Sequence, residues 1–166
     1  NYLKDAQMGV EGPLAAEDVW LCTTCKQCLL TCPEGVRAID SVRELRGLVV
    51  EGGRIPENAR DVLTGIYRYG NPFNRSRNER AEWLEGVNIK HFSKERANML
   101  LHTCCATCFD PRLAKAAKHL IEMFHAAGLD FGSMGAEESC CGDPAFNLGE
   151  FGLFDFVAEG NAEQFK

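Results

Sequence analysis

The chain has 166 residues, of which 45% are hydrophobic and 25% are charged. This composition is that of a folded globular protein and excludes collagen-like and disordered chains. The net charge is −6 and the basic residues are dispersed, which argues against nucleic acid as a partner. The uncharged stretch from Met99 to Phe109 is much shorter than the roughly 20 residues that a membrane-spanning helix needs.

The first half of the chain is predicted to be mainly helical. Residues 2–10 have the pattern of the end of a short helix. Apolar residues then recur at near-helical spacing in two runs, one ended by Gly52 and the other opened by Pro56 and stopped by Gly70. The first run carries Ile39, Val42, Leu45, Leu48 and Val49, and the second carries Val62, Leu63, Ile66 and Tyr67.

The second half predicts a small α/β unit. We interpret the polar residues 73–95 as a connecting segment with Trp83 as its one large anchor. A strand over residues 99–102, a helix that begins at Asp110 and a strand over residues 129–131 follow, and this order indicates a parallel sheet. A further amphipathic stretch near the C-terminus carries Leu148, Phe151, Phe154, Ala158 and Phe165.

Nine cysteines fall into three short groups along the chain. The groups are Cys22, Cys25, Cys28 and Cys32, then Cys104, Cys105 and Cys108, then Cys140 and Cys141. A disulfide framework spreads its cysteines to close long loops, whereas metal sites concentrate them at gaps of two or three residues. The clustering and the odd number therefore favour a reduced metalloprotein of the cytosolic type.

The first group is the run C-T-T-C-K-Q-C-L-L-T-C-P. This is the spacing of the bacterial ferredoxin run that binds a [4Fe-4S] cube, while structural zinc prefers two separated pairs of cysteines. In two-cluster ferredoxins the fourth cysteine binds the neighbouring cube. Cys32 therefore completes either a cube with Cys22, Cys25 and Cys28 or a second cube whose other ligands would precede Asn1.

The second candidate site combines Cys105 with the sequence Cys140-Cys141-Gly142, which follows after a gap of 34 residues. Adjacent side chains of an extended segment point to opposite sides, so a vicinal pair suits two irons of an open cluster better than one ion. Gly142 allows the backbone to approach closely. Two alternatives are a pair of buried core cysteines and a thiol redox pair of Cys105 with Cys108.

Two further features are ambiguous in the sequence. Arg75, Arg77 and Arg80 fit a solvated loop, and the alternative is a dock for an acidic redox partner or a carboxylate-bearing thiol. His102 fits a histidine at the end of a strand, and the alternative is a metal ligand or a proton donor to a substrate sulfur.

Four segments of the sequence form a combined pattern, namely the first cysteine run with D-V-W before it, then G-N-P-F, E-R-A-E-W and E-E-S-C-C-G-D-P-A. Together they resemble the catalytic iron-sulfur subunits of heterodisulfide reductase and their relatives in anaerobic energy metabolism. The resemblance covers nearly the whole chain, and C-C-G-D-P-A is its specific element.

The resemblance implies an α+β chain with a helical ferredoxin-like iron-sulfur domain over residues 1–70. A linker over residues 71–95 and the first part of a cysteine-rich CCG domain over residues 96–166 would follow. Because the chain begins without Met and a later C-x-x-C of the family would lie beyond its last residue, we expect a piece of a longer protein.

In the family, one cysteine, a later Cys-Cys-Gly and the C-x-x-C hold a noncubane [4Fe-4S] cluster. The matching residues are Cys105 for the first cysteine and Cys140 and Cys141 for the pair, and these three would be the catalytic residues. Cys104 and Cys108 stand where the family commonly has other residues, so the resemblance implies no role for them.

The implied function is that of an electron-transferring subunit, in which cubes pass electrons to the CCG-domain cluster that reduces a disulfide or related sulfur substrate. The implied partners are a flavoprotein, a haem subunit or a quinone-reactive membrane subunit. We expect a cytoplasmic location, with attachment to the inner face of the membrane through such a partner. The alternatives are a pure electron relay between a dehydrogenase and quinone, and a zinc-stabilised interaction module.

Overall fold

The fold is described by a computed structural model, which covers residues 17–165. Contacts divide the chain into two compact units. The first comprises the described residues up to Leu63 together with Gly142–Phe156, and the second comprises Thr64–Cys141 with residues 157–165. The helix end predicted at residues 2–10 lies outside the described part. The sequence division at residues 70 and 95 stays a prediction.

Helices make up most of the described chain. The α-helices are α1 (Gln27–Thr31), α2 (Ala38–Glu51), α3 (Glu57–Tyr69), α4 (Cys105–Phe109), α5 (Pro111–Ala126), α6 (Asp143–Leu148) and α7 (Phe151–Gln164). Segments of 3₁₀-helix lie at Glu17–Leu21, Arg77–Leu84 and Gly135–Glu137. The strands are β1 (Lys90–His91), β2 (Met99–Leu100) and β3 (Phe131–Ser133). Within residues 17–165, none of the helices is long and apolar enough to cross a bilayer.

Helix α2 supplies one side of the core of the first unit. Val42 and Val49 are buried together with Val19, because residues seven apart return to one helical face. The backbone N–H of Gly52 donates to the carbonyl of Leu48 and closes the helix. The predicted helix is thus confirmed, although Leu48, which the pattern placed on its apolar face, is 51% exposed.

The core of the second unit forms around helix α5. Asp110 caps this helix by accepting the backbone N–H of Arg112 at 2.9 Å, as its sequence predicts. Ile121 of α5 packs with Trp83 and Phe131. Trp83 comes from the segment that the sequence analysis interprets as a connection, and its side chain is buried.

The three strands form one parallel sheet in the order β1, β3, β2. Gly132 of the central strand pairs with Lys90 on one side and with Leu100 on the other. The predicted order of strand, helix and parallel strand is confirmed, and so is the α+β class. Strand β3 begins two residues later than predicted, and β1 was not predicted because two polar residues carry no alternating pattern.

The amphipathic stretch near the C-terminus forms two helices, α6 and α7. Gly149 separates them with φ of 86°, a conformation that glycine adopts without strain. A Cβ atom at Gly149 would lie 2.4 Å from the backbone nitrogen of Gly47 in α2. The break therefore allows the backbone of the first unit to pack closely at this point.

Candidate iron-sulfur centres

The first cysteine group lies on a compact loop that runs from the end of the first 3₁₀ segment through α1. Cys22 and Cys32 are half-buried, while Cys25 and Cys28 are exposed. Thr24 and Lys26 have φ of 56° and 64°, so the backbone turns twice through the left-handed region between the cysteines. Among the described residues, no three Cys, His, Asp or Glu side chains converge around a point that suits a single metal ion.

Two sulfurs of this loop receive hydrogen bonds from the chain around them. The backbone N–H of Gln27 and the side chain of Thr23 donate to Cys25 and lower the pKa of its thiol. Backbone N–H groups of Val36 and Glu34 lower the pKa of Cys32 in the same way. Hydrogen bonds to thiolate sulfurs are a feature of iron-sulfur sites and adjust their reduction potentials. The four thiols and these donors therefore fit an iron-sulfur cluster.

The start of the loop is fixed by a buried cation that the sequence analysis missed. Arg46 of α2 is 5% exposed, and its guanidinium donates to the carbonyls of Cys22 at 2.5 Å and Val19 at 3.1 Å. It also donates to the carbonyl of Asn147 at 2.7 Å. A side chain with five donors in a rigid fork can hold three backbone carbonyls at once, so Arg46 ties the cysteine loop to two other segments of the first unit.

The second site lies where strands β2 and β3 end. Glu138 is fully buried and accepts hydrogen bonds from the backbone N–H and the hydroxyl of Thr103 at 3.0 and 2.9 Å. Its other oxygen accepts from the hydroxyl of Ser133 at 3.0 Å. Because parallel strands end at the same edge of a sheet, residues from both strand ends can meet one carboxylate.

Arg80 is the second buried cation and belongs to this site. Its side chain is 2% exposed. It donates to the sulfur of Cys105 at 3.1 Å and to the carbonyl of Thr103 at 2.8 Å. The interpretation of Arg80 as part of a solvated loop is therefore wrong, whereas Arg75 and Arg77 are exposed. The missed signal is the spacing to Trp83, since side chains three residues apart share one face of a 3₁₀-helix.

Cys105 and Cys140 come together in the second unit, and both are buried. A hydrogen bond from Cys140 lowers the pKa of Cys105 to about 6, and the nearby Arg80 cation adds to this lowering against the effect of burial. The backbone of Cys140 is held on both sides, because its N–H donates to Gly70 at 2.8 Å and its carbonyl accepts from Asn161 at 2.9 Å.

Cys141, the third residue of the predicted catalytic set, is exposed. One member of the vicinal pair is thus buried against Cys105 while the other faces solvent. Gly142 follows with φ of 86° and is the residue immediately before helix α6. The ligand and catalytic roles of Cys105, Cys140 and Cys141 stay predictions.

The remaining cysteines have different surroundings. Cys104 is exposed at the start of α4, where its sulfur accepts the N–H of Ala106 at 3.3 Å. Cys108 is buried in the core beside Trp83, and burial raises the pKa of its thiol. A thiol with a raised pKa is a poor nucleophile, so these surroundings favour a packing role for Cys108.

Two buried nitrogens of residues that contact or lie close to Glu138 lack a hydrogen-bond partner among the described residues, namely Nε of Arg80 and Nδ1 of His102. Nδ1 of His102 lies 3.7 Å from Glu138. An unpaired buried donor costs about 1–3 kcal/mol, and the sulfides of an iron-sulfur cluster would accept a hydrogen bond from Arg80. The thiols and the spare donor therefore fit such a cluster at the second site.

Known proteins resemble this chain over most of its length. Over 124 residues it is 34% identical to one subunit of the ferredoxin/F(420)H(2)-dependent CoB-CoM heterodisulfide reductase of Methanosarcina acetivorans. This match covers 69% of the chain and 74% of that protein. The chain belongs to the heterodisulfide reductase family of iron-sulfur proteins.

Other members of the wider family are much longer than the chain. The EtfAB:quinone oxidoreductase of Syntrophomonas wolfei is 33% identical over 92% of the chain but only 22% of its own length. A probable iron-sulfur-binding oxidoreductase of Bacillus subtilis is 30% identical over 92% of the chain and 23% of its own length. The chain thus spans less than a quarter of these two relatives. No protein-family profile and no solved structure matches it.

Proposed function

We propose that the chain is an electron-transferring module of a heterodisulfide reductase-like oxidoreductase. Cys22, Cys25, Cys28 and Cys32 would hold a [4Fe-4S] cube, either with all four thiols or with Cys32 shared with a second cube. When bound, such a cluster carries one electron at a time. Family membership and the N–H donors at Cys25 and Cys32 support this proposal.

The second part of the proposal assigns a catalytic centre to Cys105, Cys140 and Cys141. These residues would hold a noncubane [4Fe-4S] cluster at which a disulfide or a related sulfur bond is reduced. The observation that carries this part is the contact of the buried Arg80 cation with the Cys105 sulfur, because a fixed positive charge favours thiolates and added electrons beside it. Cys141 is the exposed member of the set, so we propose that substrate approaches from its side.

The domain organisation and the partners follow from the same proposal. Residues 1–70 would form the ferredoxin-like domain, residues 71–95 a linker, and residues 96–166 the first part of a CCG domain. The partners would be a flavoprotein, a haem subunit or a quinone-reactive membrane subunit that keeps the chain at the cytoplasmic face of a membrane.

A second candidate function is electron relay without sulfur chemistry. The Syntrophomonas relative is named an oxidoreductase of EtfAB and quinone, with no disulfide in its name. In this version the centre at Cys105 passes single electrons onward, and no substrate sulfur binds at Cys141.

Re-oxidation of the reduced chain separates the two functions. We would reduce the anaerobic, iron-loaded chain with dithionite and remove the excess dithionite. The reduced chain is then mixed with cystine or with menadione. The metal-free chain is the control for re-oxidation by free thiols. Disulfide reduction predicts rapid re-oxidation by cystine that Cys141→Ala abolishes while the cube spectrum is unchanged. Re-oxidation by menadione alone would instead support the relay.

A further inference from the structure

We infer that Arg80 is a positioning residue for the centre at Cys105. Its guanidinium holds Cys105 against the segment from Glu138 to Cys140, and its charge raises the reduction potential of whatever cluster the thiols bind. The positioning role concerns the polypeptide alone, whereas the effect on the reduction potential rests on the proposed function.

The guanidinium connects two segments that are distant in sequence. Nη1 of Arg80 donates to the Cys105 sulfur at 3.1 Å. Nη2 donates to the carbonyls of Thr103 at 2.8 Å and Ser139 at 3.4 Å. The fork therefore fixes Thr103, two residues before α4, and Ser139, the residue before Cys140, at once. A lysine ammonium could not reproduce this planar arrangement.

The charge of Arg80 acts on the sulfur more closely than on the carboxylate. Glu138 lies 3.5 Å from Arg80, whereas Thr103 and Ser133 donate to the same carboxylate at 2.9–3.0 Å. Neutral donors thus satisfy much of the hydrogen-bonding capacity of the Glu138 carboxylate. Arg80 has its shorter contact with Cys105, where its positive charge would stabilise electrons added to a cluster.

The unpaired Nε of Arg80 distinguishes this site from a purely structural clamp. Buried arginines that serve only packing are expected to have their donors satisfied. Here one N–H of a side chain that is 2% exposed has no partner among the described residues. An unpaired Nε–H of Arg80 close to the buried thiols of Cys105 and Cys140 fits a site that binds a hydrogen-bond acceptor from outside the polypeptide.

The positioning role can be tested on the metal-free chain. Limiting diamide would take up two electrons and two protons as Cys105 and Cys140 join in a disulfide, which peptide mapping quantifies. We expect about tenfold less of this disulfide in both Arg80→Gln and Arg80→Lys, as the loss of one charged hydrogen bond implies. Arg75→Gln removes an exposed arginine from the same unit and should match the wild type. Equal yields in all four proteins would overturn the positioning role.

The effect on the potential is tested on the iron-loaded chain by redox titration followed by electron paramagnetic resonance. Arg80→Gln should shift the midpoint of the Cys105 centre to more negative values, while Arg80→Lys should shift it less. Glu138→Gln removes a negative charge and should shift the midpoint of the Cys105 centre to more positive values. This variant keeps the prediction testable if Arg80→Gln does not fold. The cube signal should not move in any variant.

The results separate this inference from the proposed function. Unchanged midpoints of the Cys105 centre in all three variants would overturn the effect of Arg80 on its potential. If the loaded wild-type chain shows only the cube signal, the proposed second centre is wrong and the statement about potential falls with it. The disulfide yield still decides whether Arg80 positions Cys105.

Discussion

A guanidinium nitrogen of Arg46 and the carbonyl oxygen of Cys22 lie 2.5 Å apart in the interior of the first unit. This contact makes the position of the first cysteine depend on helix α2, although Cys22 itself belongs to an irregular loop. The same guanidinium also holds the carbonyl of Val19. The geometry of the cysteine loop is thus set from outside the cysteine run.

Replacing Arg46 should therefore weaken both the fold and the loop. In Arg46→Gln three backbone carbonyls, one of them fully buried, lose charged donors, and we expect the free energy of unfolding to fall by about 3 kcal/mol. Urea unfolding of the metal-free chain measures this change. Arg37→Gln is the control, because Arg37 pairs with Asp40 on the surface and the loss of an exposed ion pair should change the free energy of unfolding much less. Equal losses of unfolding free energy in the two variants would show that the contacts of Arg46 stabilise the fold no more than an exposed ion pair does.

The close packing at Gly149 predicts a strong effect of a single methyl group. Gly149→Ala would place Cβ 2.4 Å from the nitrogen of Gly47 at a positive φ, so we expect a loss of about 3 kcal/mol or more. Gly160→Ala is the matched control, since Gly160 is exposed in α7 with open space around it. It should stabilise the chain by up to about 1 kcal/mol. Thermal unfolding of both variants tests this contrast, which a tolerated alanine at position 149 would contradict.

Asp110 predicts a specific acid dependence of stability. A hydrogen bond from the Arg112 side chain is the main reason that the pKa of Asp110 is lowered to about 2 from 3.8. Because the pKa is lower in the folded chain than in the unfolded chain, the carboxylate stabilises the fold above about pH 4. This contribution is lost as the pH falls through about 2.

The variant Asp110→Asn isolates that dependence. Asparagine keeps an oxygen that can cap α5 but lacks the charge, so the wild type should have the higher urea midpoint at neutral pH. This difference in midpoint should disappear as the solution is acidified from pH 4 to pH 2. Added salt should reduce the difference in urea midpoint at neutral pH, because salt screens the exposed Asp110–Arg112 ion pair. A difference that stays constant across the acid range would contradict the role of the charge.

The regular elements could be predicted because their signals are local. Helix α2 shows apolar spacing and a terminal glycine, and α5 shows an aspartate and a proline at its start. Strand β1 could not be predicted in this way, because only its pairing with β3 makes these two residues a strand. The break at Gly149 was missed because an apolar pattern continues across it.

The sequence located the thiols but not the charges that surround them. The cysteine pattern together with the family resemblance placed Cys105 and Cys140 in one candidate site, and the structure brings their side chains together. The burial of Arg80 depends on partners 25 residues away at Cys105 and 58 residues away at Glu138. Composition treats such an arginine as a surface residue, and its spacing to Trp83 indicates only that the two side chains share a face. Its contact with the Cys105 sulfur is visible only in the tertiary structure.

Metal analysis of the anaerobically purified chain shows directly whether the cysteines bind iron-sulfur clusters. We expect iron with acid-labile sulfide in equal amounts, and Cys28→Ser should lose the cube signal in electron paramagnetic resonance while Cys104→Ser retains it. A colourless chain that contains stoichiometric zinc and no sulfide would contradict cluster binding.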